Sequence, residues 1–349
     1  VDCDMKEGLL KVADAIKWQE QPTERNRGKG ISCCIKDAGG TYKVAGATVK
    51  MSSDGSVMLL TGTVEIGQGP RTALSQVVAE ELSLPMDQIG VAQLDTDVTP
   101  YDISTSASSS MVVMGTAVQR AAQDARKQLL QCASKLLQQK VEHLKLHKGQ
   151  VVYGEGPPIS YSKVIVDYFG SKAGEIIGKG LYKDKRNPKA VLGSTTTFWE
   201  VGWGGVEVEV DPDTGVVHLL NYVSACDAGK AINPEQCIGQ DEGAVLFGIG
   251  HTLIEEMIYE DGQLLNGNLV DYSVPRFGDV PEKFETILIE NRNGPGPFGS
   301  KGIGEGGLLP VASAVANAIS RAVGVRIQEL PLTPPKVWRA LQAKNQLKA

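Results

Sequence analysis

The 349-residue chain is poor in the patterns that usually announce a metal or redox site. It has six cysteines, Cys3, Cys33, Cys34, Cys132, Cys226 and Cys237, and none forms a C-x-x-C pair. No grouping of them with His143, His147, His218 or His251 has zinc or iron–sulfur spacing. Iron–sulfur centres, if the chain serves electron transfer, therefore belong to another chain. Scattered thiols of this kind suit a reducing cytoplasm. No basic run with interleaved aromatics is present, and the net charge is −6, which argues against nucleic-acid binding. No apolar run reaches the ~18 residues of a membrane span. The nearest, Leu308 to Val325, is broken by Ser313, Asn317, Ser320 and Arg321. No signal peptide is visible at Val1. A Walker loop, a strand–G-x-G-x-x-G–helix fingerprint and a G-x-S-x-G elbow are all missing. That excludes an ordinary ATP or NAD site and a serine-hydrolase elbow.

What is present is a globular composition, 42% hydrophobic and 22% charged. Residues 1–24 show helical spacing at Leu9, Leu10, Ala13 and Ile16, and the basic stretch 25–29 reads as a loop. Ala47–Met51 and Val57–Thr63 flank Ser52-Ser53-Asp54-Gly55, a hairpin signal. Helical faces follow at Arg71–Leu82, with Pro70 just inside the start, and at Met111–Leu137. Residues 148–196 are the least regular, apart from a short helix near Ser162–Phe169 and a charged stretch at Lys183–Lys189. The second half repeats the style of the first: strands around Asp211–Gly215, a helix Pro234–Glu255, a strand Phe284–Glu290 and a helix after Leu308. Interleaved strands and helices with hairpins predict an α+β fold of two mixed lobes. We expect a first lobe at 1–150, an irregular linker at 151–196 and a second lobe at 197–349.

Four glycine- or serine-rich segments adjoin helix starts or lie inside helices: Gly67-Gln68-Gly69, Ser104–Ser110, Gly239-Gln240 and Gly302–Gly307. Backbone N–H groups at helix starts, with serine hydroxyls, form an anion-binding surface, and glutamine adds a donor and an acceptor. Each alone is more often a turn or a cap. The last contains Glu305, a carboxylate among glycines before a helix, which makes it a candidate general base.

In this order and spacing the segments resemble the molybdenum hydroxylase family, which includes xanthine dehydrogenase and aldehyde oxidase. The Thr61–Thr72 stretch is similar to the family's G-x-x-E-x-G-Q-G motif, and Thr105–Ser110 to its Ser/Ala loop. Asn233-Pro234 with Gly239-Gln240-Asp241-Glu242-Gly243 matches N-P-x-x-x-x-G-Q-x-E-G, Ser300–Glu305 the catalytic glutamate segment, and Leu332–Trp338 the closing helix. The resemblance runs from about residue 28 to residue 342.

The resemblance implies a fold like the molybdenum cofactor-binding domain of xanthine dehydrogenase-like enzymes. Glu305 would be the catalytic base. Gly67, Gln68, Gly69, Ser106, Ala107, Ser108, Ser109, Ser110, Gln240, Lys301, Gly302, Ile303 and Gly304 would bind the cofactor. That cofactor is Mo-molybdopterin, expected in the cytosine dinucleotide form with oxo and sulfido or selenido ligands. The pterin dithiolene holds the metal, with no direct protein ligand. The implied chemistry is hydroxylation of an electron-poor carbon, in an N-heterocycle such as nicotinate or a purine, with water as oxygen source. Burial is expected to raise the Glu305 pKa, with loop N–H groups and Lys301 offsetting it.

On this resemblance the chain is expected to carry only the second of the family's two cofactor-binding halves. It thus resembles the separate medium subunit of split enzymes such as nicotinate dehydrogenase, active only in complex. Expected partners are a large molybdopterin subunit, a 2Fe-2S subunit and an FAD subunit, with no nucleic acid. An aldehyde or carbon monoxide type oxidoreductase and a non-catalytic scaffold of the same fold are the alternatives.

Overall fold

The structure is a computed structural model that describes residues 3–38, 42–170, 174–184 and 196–346. The chain begins with helix α1 (Met5–Ala15), whose N-terminal amides of Lys6 and Glu7 donate to the Asp4 side chain. Strand β1 (Arg27–Ala38) follows, then a hairpin of β2 (Val44–Ser52) and β3 (Val57–Thr61). Its turn is set by Gly55 at φ 90° and by Asp54, which accepts from the Ser56 amide and hydroxyl. Helix α2 (Pro70–Leu82), strand β4 (Ile89–Val91) and the 28-residue helix α3 (Ser110–Leu137) come next. A small meander of β5 (Leu144–His147), β6 (Gln150–Tyr153) and β7 (Ile159–Ser160) leads to α4 (Tyr161–Phe169) and β8 (Glu175–Lys183).

The second half opens on a long hairpin, β9 (Phe198–Val210) and β10 (Val217–Asp227), followed by α5 (Pro234–Ile249). One π-helical turn, Gly250–Ile254, extends α5. A short hairpin, β11 (Tyr259–Glu260) and β12 (Gln263–Leu264), precedes β13 (Lys283–Ile289), α6 (Val311–Val323) and α7 (Pro334–Gln346).

Two four-stranded sheets organise these elements, in the orders β4-β3-β2-β8 and β13-β10-β9-β1. Each has an antiparallel hairpin, a parallel strand added through a helical crossover, and an antiparallel edge strand. The α+β architecture read from the sequence is the one observed.

The chain changes sheets more often than a boundary at 151–196 implies. Strand β1 pairs along its whole length with β9, so residues 27–38 belong to the second sheet. Strand β8, inside the stretch read as irregular, pairs with β2 in the first. The basic stretch 25–29 is not a loop: β1 starts at Arg27, whose side chain is tied to Glu209 opposite. The register of a long-range strand pair is not encoded in local periodicity. Most of the charged stretch Lys183–Lys189 lies outside the described residues.

Packing explains the spacing of small residues. Gly178 and Gly180 on β8 lie under Ala117, Ala121 and Ala125 of α3, and a Cβ at either glycine would collide with the helix backbone. Around this contact Val49, Leu59, Val78, Val118 and Leu129 form a fully buried core. Each such side chain contributes roughly 1.5–3 kcal/mol by leaving water. The second core lies between the second sheet and α6, with Val206, Val208, Val311, Val315 and Ile319. Its sheet is also covered on the opposite face, where Val12 and Ile16 of α1 meet Val201 and Trp203.

Candidate functional site

Strand side chains alternate between faces. On β1 the even-numbered residues face α6 and the loop before it. Gly30 lies under Ala314, Ser32 Oγ is 2.6 Å from Ser313 Oγ, Cys34 Sγ donates to the Leu309 carbonyl, and Lys36 reaches Glu305. On β9 the even face brings Glu200 beneath the same loop, directly opposite Lys36. Glu200 Oε1 accepts three successive backbone N–H groups, from Gly304, Glu305 and Gly306, at 3.0, 3.0 and 2.8 Å. The glycine-rich loop is thus wrapped around a buried carboxyl supplied by the sheet.

Above this loop is a cavity of about 310 Å³. Both lobes line it. The first lobe gives Gln68, Pro70, Thr105, Ser106, Ala107, Ser108, Ser109 and Ser110, and the second gives Asn233, Gln236, Gln240 and Lys301 to Glu305. Three helix N-termini meet there: Pro70 of α2, Ser110 of α3 and Pro234 of α5, which follows the lining residue Asn233. No side chain caps α2 or α3. First-turn N–H groups have no intrahelical partner, and each helix start carries about half a positive charge. Such a lining can receive an anionic ligand rich in hydrogen-bonding groups.

Glu305 Oε2 lies 2.9 Å from Lys36 Nζ and accepts from Ser108 Oγ at 3.2 Å. Its side chain remains 57% exposed at the cavity. The Lys36 ammonium holds the Glu305 carboxyl below the usual carboxylate range, against a smaller opposing effect of burial; the Ser108 hydroxyl adds to the lowering. Burial acts upward as expected and is offset, but the offset comes from the Lys36 ion pair, which outweighs partial burial. The helpers differ as well. The loop N–H groups serve Glu200, and Lys301 is buried against Asp227 at 2.8 Å. Asp227 is held in turn by the Gly229 amide and Asn291 Nδ2.

The remaining expected residues divide. Gln240 Nε2 donates to the Gly304 carbonyl at 3.3 Å, linking α5 to the glutamate loop. Gln68 lines the cavity while bonding within its own lobe, to the Val64 carbonyl, the Ile66 amide and Thr105. Gly67 and Gly69 flank Gln68 without lining the cavity, and their N–H groups donate to Glu65 Oε1. Ser106 Oγ accepts from Lys43 Nζ at 2.6 Å. Gly302 is a glycine of necessity, since a Cβ there would collide with the Ser108 carbonyl. The two loops touch backbone to backbone.

Sequence reasoning missed Lys36, Glu200, Lys43, Asp227 and Gln236. No local motif marks them, because strand register alone pairs Lys36 with Glu200. Gln236 Oε1 is buried without a hydrogen-bond partner among the described residues, although Gln236 lines the cavity. An unsatisfied acceptor beside hydroxyls and helix starts fits a ligand with N–H edges, such as a pterin.

Fold and cavity together define a two-lobed domain that cradles an anionic organic cofactor beside a carboxylate. The chain belongs to the molybdopterin cofactor-binding domain family, whose family model matches residues 8–281. It is similar to the probable hypoxanthine oxidase XdhD of Escherichia coli (strain K12), 30% identical over 97% of this chain and 35% of that protein. It is also similar to the 6-hydroxypseudooxynicotine dehydrogenase complex subunit gamma of Paenarthrobacter nicotinovorans, 32% identical over 96% of this chain and 43% of that protein. Among solved structures, quinoline 2-oxidoreductase from Pseudomonas putida 86 superposes with a TM-score of 0.80 at 27% identity, over 95% of this chain and 43% of that one. The chain thus spans well under half the length of these relatives. No helix among the described residues is long and apolar enough to cross a membrane.

Proposed function

We propose that this chain is the molybdopterin-binding catalytic part of an oxidoreductase that hydroxylates an electron-poor carbon, using water as oxygen source. The observation that carries the reading is one cavity holding both an anion-binding cradle and the Glu305 carboxylate. Ser106 to Ser110, Gln68, Gln236 and Gln240 would hold the pterin and its phosphate. Beside the cavity, Lys148, Lys230 and Arg292 line a second hollow. These cations, of which Lys230 is paired with Glu290, suit a phosphate-bearing extension and so a dinucleotide form; cytosine as its base is carried by the family resemblance alone. When bound, the molybdenum group with its oxo and sulfido or selenido ligands supplies oxygen transfer and accepts the electrons.

The chain's own contribution is positioning and proton transfer. The loop 302–305 sets the carboxylate at the cavity, and Lys36 keeps it ionised. Both of its named contacts are made to Oε2. Oε1 is the atom that takes the proton from the attacking water.

An N-heterocycle is the substrate class we favour, because relatives named for nicotine-type and quinoline substrates match 95–96% of this chain at 27–33% identity. Electrons would leave to 2Fe-2S and FAD partner chains, with a large molybdopterin subunit completing the pocket. No disulfide joins the cysteines among the described residues, which suits a reducing compartment, and we place the complex in the cytoplasm.

The test is Glu305→Gln in the purified complex. Molybdenum content should be unchanged and turnover should fall by about two to four decades, as for loss of a general base. Near-normal turnover at full molybdenum content would refute the base role. Co-purification of iron–sulfur and flavin chains, and inactivity of this chain alone, check the partner assignment.

A further inference from the structure

We propose that Lys36 and Glu200 form a positioning pair that aims the Glu305 carboxylate and holds it as an anion. The inference rests on the reading of Glu305 as the proton acceptor and adds the device that controls it.

The geometry is a closed circuit. Glu200 fixes the loop backbone through one oxygen, accepting from residues 304, 305 and 306. Its other oxygen lies 3.1 Å from Lys36 Nζ, which also meets the Glu305 side chain. The backbone and the side-chain end of Glu305 are thus tied, directly and through Lys36, to a single carboxyl on the sheet. Glu200 is buried, and Lys36 is 19% exposed. Neither occupies the cavity itself. They can orient the acceptor without competing for the ligand.

The charges facing Glu305 come from several elements. Lys36 is on β1, Glu200 on β9 and the neutral Gln240 on α5, with the Ser108 hydroxyl from the serine loop; Asp241 of α5 interacts with Glu200. Of these groups only Lys36 is cationic. The second carboxylate has a physical purpose. When Glu305 takes a proton, Lys36 keeps Glu200 as a partner, so no half-buried ammonium is stranded. Lys301, the cation next along the loop, is committed to Asp227.

The experiment labels glutamate with ¹³C at Cδ in the purified complex and identifies Glu305 by the signal lost in E305Q. Lys36→Met should move the Glu305 titration midpoint upward, and Lys36→Arg should leave it near wild type. The acid limb of kcat/KM should move the same way as the carboxyl signal. If Lys36→Met misfolds because Glu200 is left unpaired, the pair Glu200→Gln and Lys36→Met/Glu200→Gln answers the same question. The double variant should titrate higher than the single one. An unmoved midpoint, or equal shifts in Lys36→Met and Lys36→Arg, overturns the proposal. Normal turnover of E305Q would instead remove the base role and leave the titration result standing.

Discussion

The two lobes are the same arrangement built twice, and they differ where the chemistry lies. In each, an edge strand carrying Gly-Lys-Gly (28–30 and 178–180) lies under a helix with alanines four apart. In each, a hairpin is followed by a crossover helix, a parallel strand and that alanine helix. The loops entering the alanine helices have diverged. In the first lobe this loop is serine-rich and offers hydroxyls; in the second it is glycine-rich and offers Glu305. The sheets beneath differ too. On β2 burial alternates residue by residue, whereas β9 and β10 contain long buried runs because α1 covers the second face. A sheet covered on both sides can bury Glu200 and use it to shape a loop. On the proposed reading the first lobe would contribute hydroxyls to the cofactor, and the second would add the carboxylate.

Exchanging the chief polar group of each lobe tests this most severely. Against the two to four decades expected for Glu305→Gln, Ser108→Ala should cost about tenfold in turnover, the loss of one hydrogen bond to a charged group. Comparable losses would erase the division of labour.

Structural equivalence is tested by Gly30→Ala and Gly180→Ala. Each puts a methyl into a helix carbonyl, Ala314 or Ala117, and each should cost about 3 kcal/mol in denaturant unfolding, as overpacking does. A large effect in one lobe and none in the other would show that the repeat is not mechanical.

The glutamines sharpen the comparison further. Gln240→Ala should lower both molybdenum content and turnover per molybdenum, because Gln240 also braces the Gly304 carbonyl. Gln68→Ala should lower content alone.

The smallest expected effect is one of pH, and it separates two carboxyls of the second lobe. Burial raises the Asp241 pKa, against the pull of Ser224 and Thr286, while Lys36 lowers that of Glu305. On acidification Asp241 should therefore protonate before Glu305, which carboxyl ¹³C signals would show. Stability linked to Asp241 is fully present below its unfolded value of about 3.9 and is lost as pH rises through the folded one. Stability linked to Glu305 runs the other way. It is present above about 4.3 and is lost as pH falls through its depressed folded value. Asp241→Asn should flatten the first dependence in unfolding experiments at several pH values.

Much of this was legible beforehand. The turn at Ser52–Gly55, the helix starts at Pro70 and Pro234 and the alanine spacing of α3 are local signals, and each lies where the spacing predicts. The cavity residues Gln68, Ser108 and Glu305 sit on glycine and serine loops whose composition marks them, and Gln240 lies in α5 beside the Gly239 that marked it. Strand β8 was missed inside the stretch read as irregular; its glycines are there to let α3 approach. The Lys36–Glu200 pair joins residues 164 positions apart, and nothing in the neighbourhood of either announces the other.

The amino-acid order by itself determined which segments turn, which begin helices and which carry a carboxylate or hydroxyls fit for a cofactor, since those depend on backbone freedom and side-chain chemistry within a few residues. Only the folded chain decided which lobe each edge strand joins, which cation faces Glu305 and which carboxyl receives the loop N–H groups. Those outcomes depend on strand register and burial, which bring distant residues within hydrogen-bonding range and set their charges against one another.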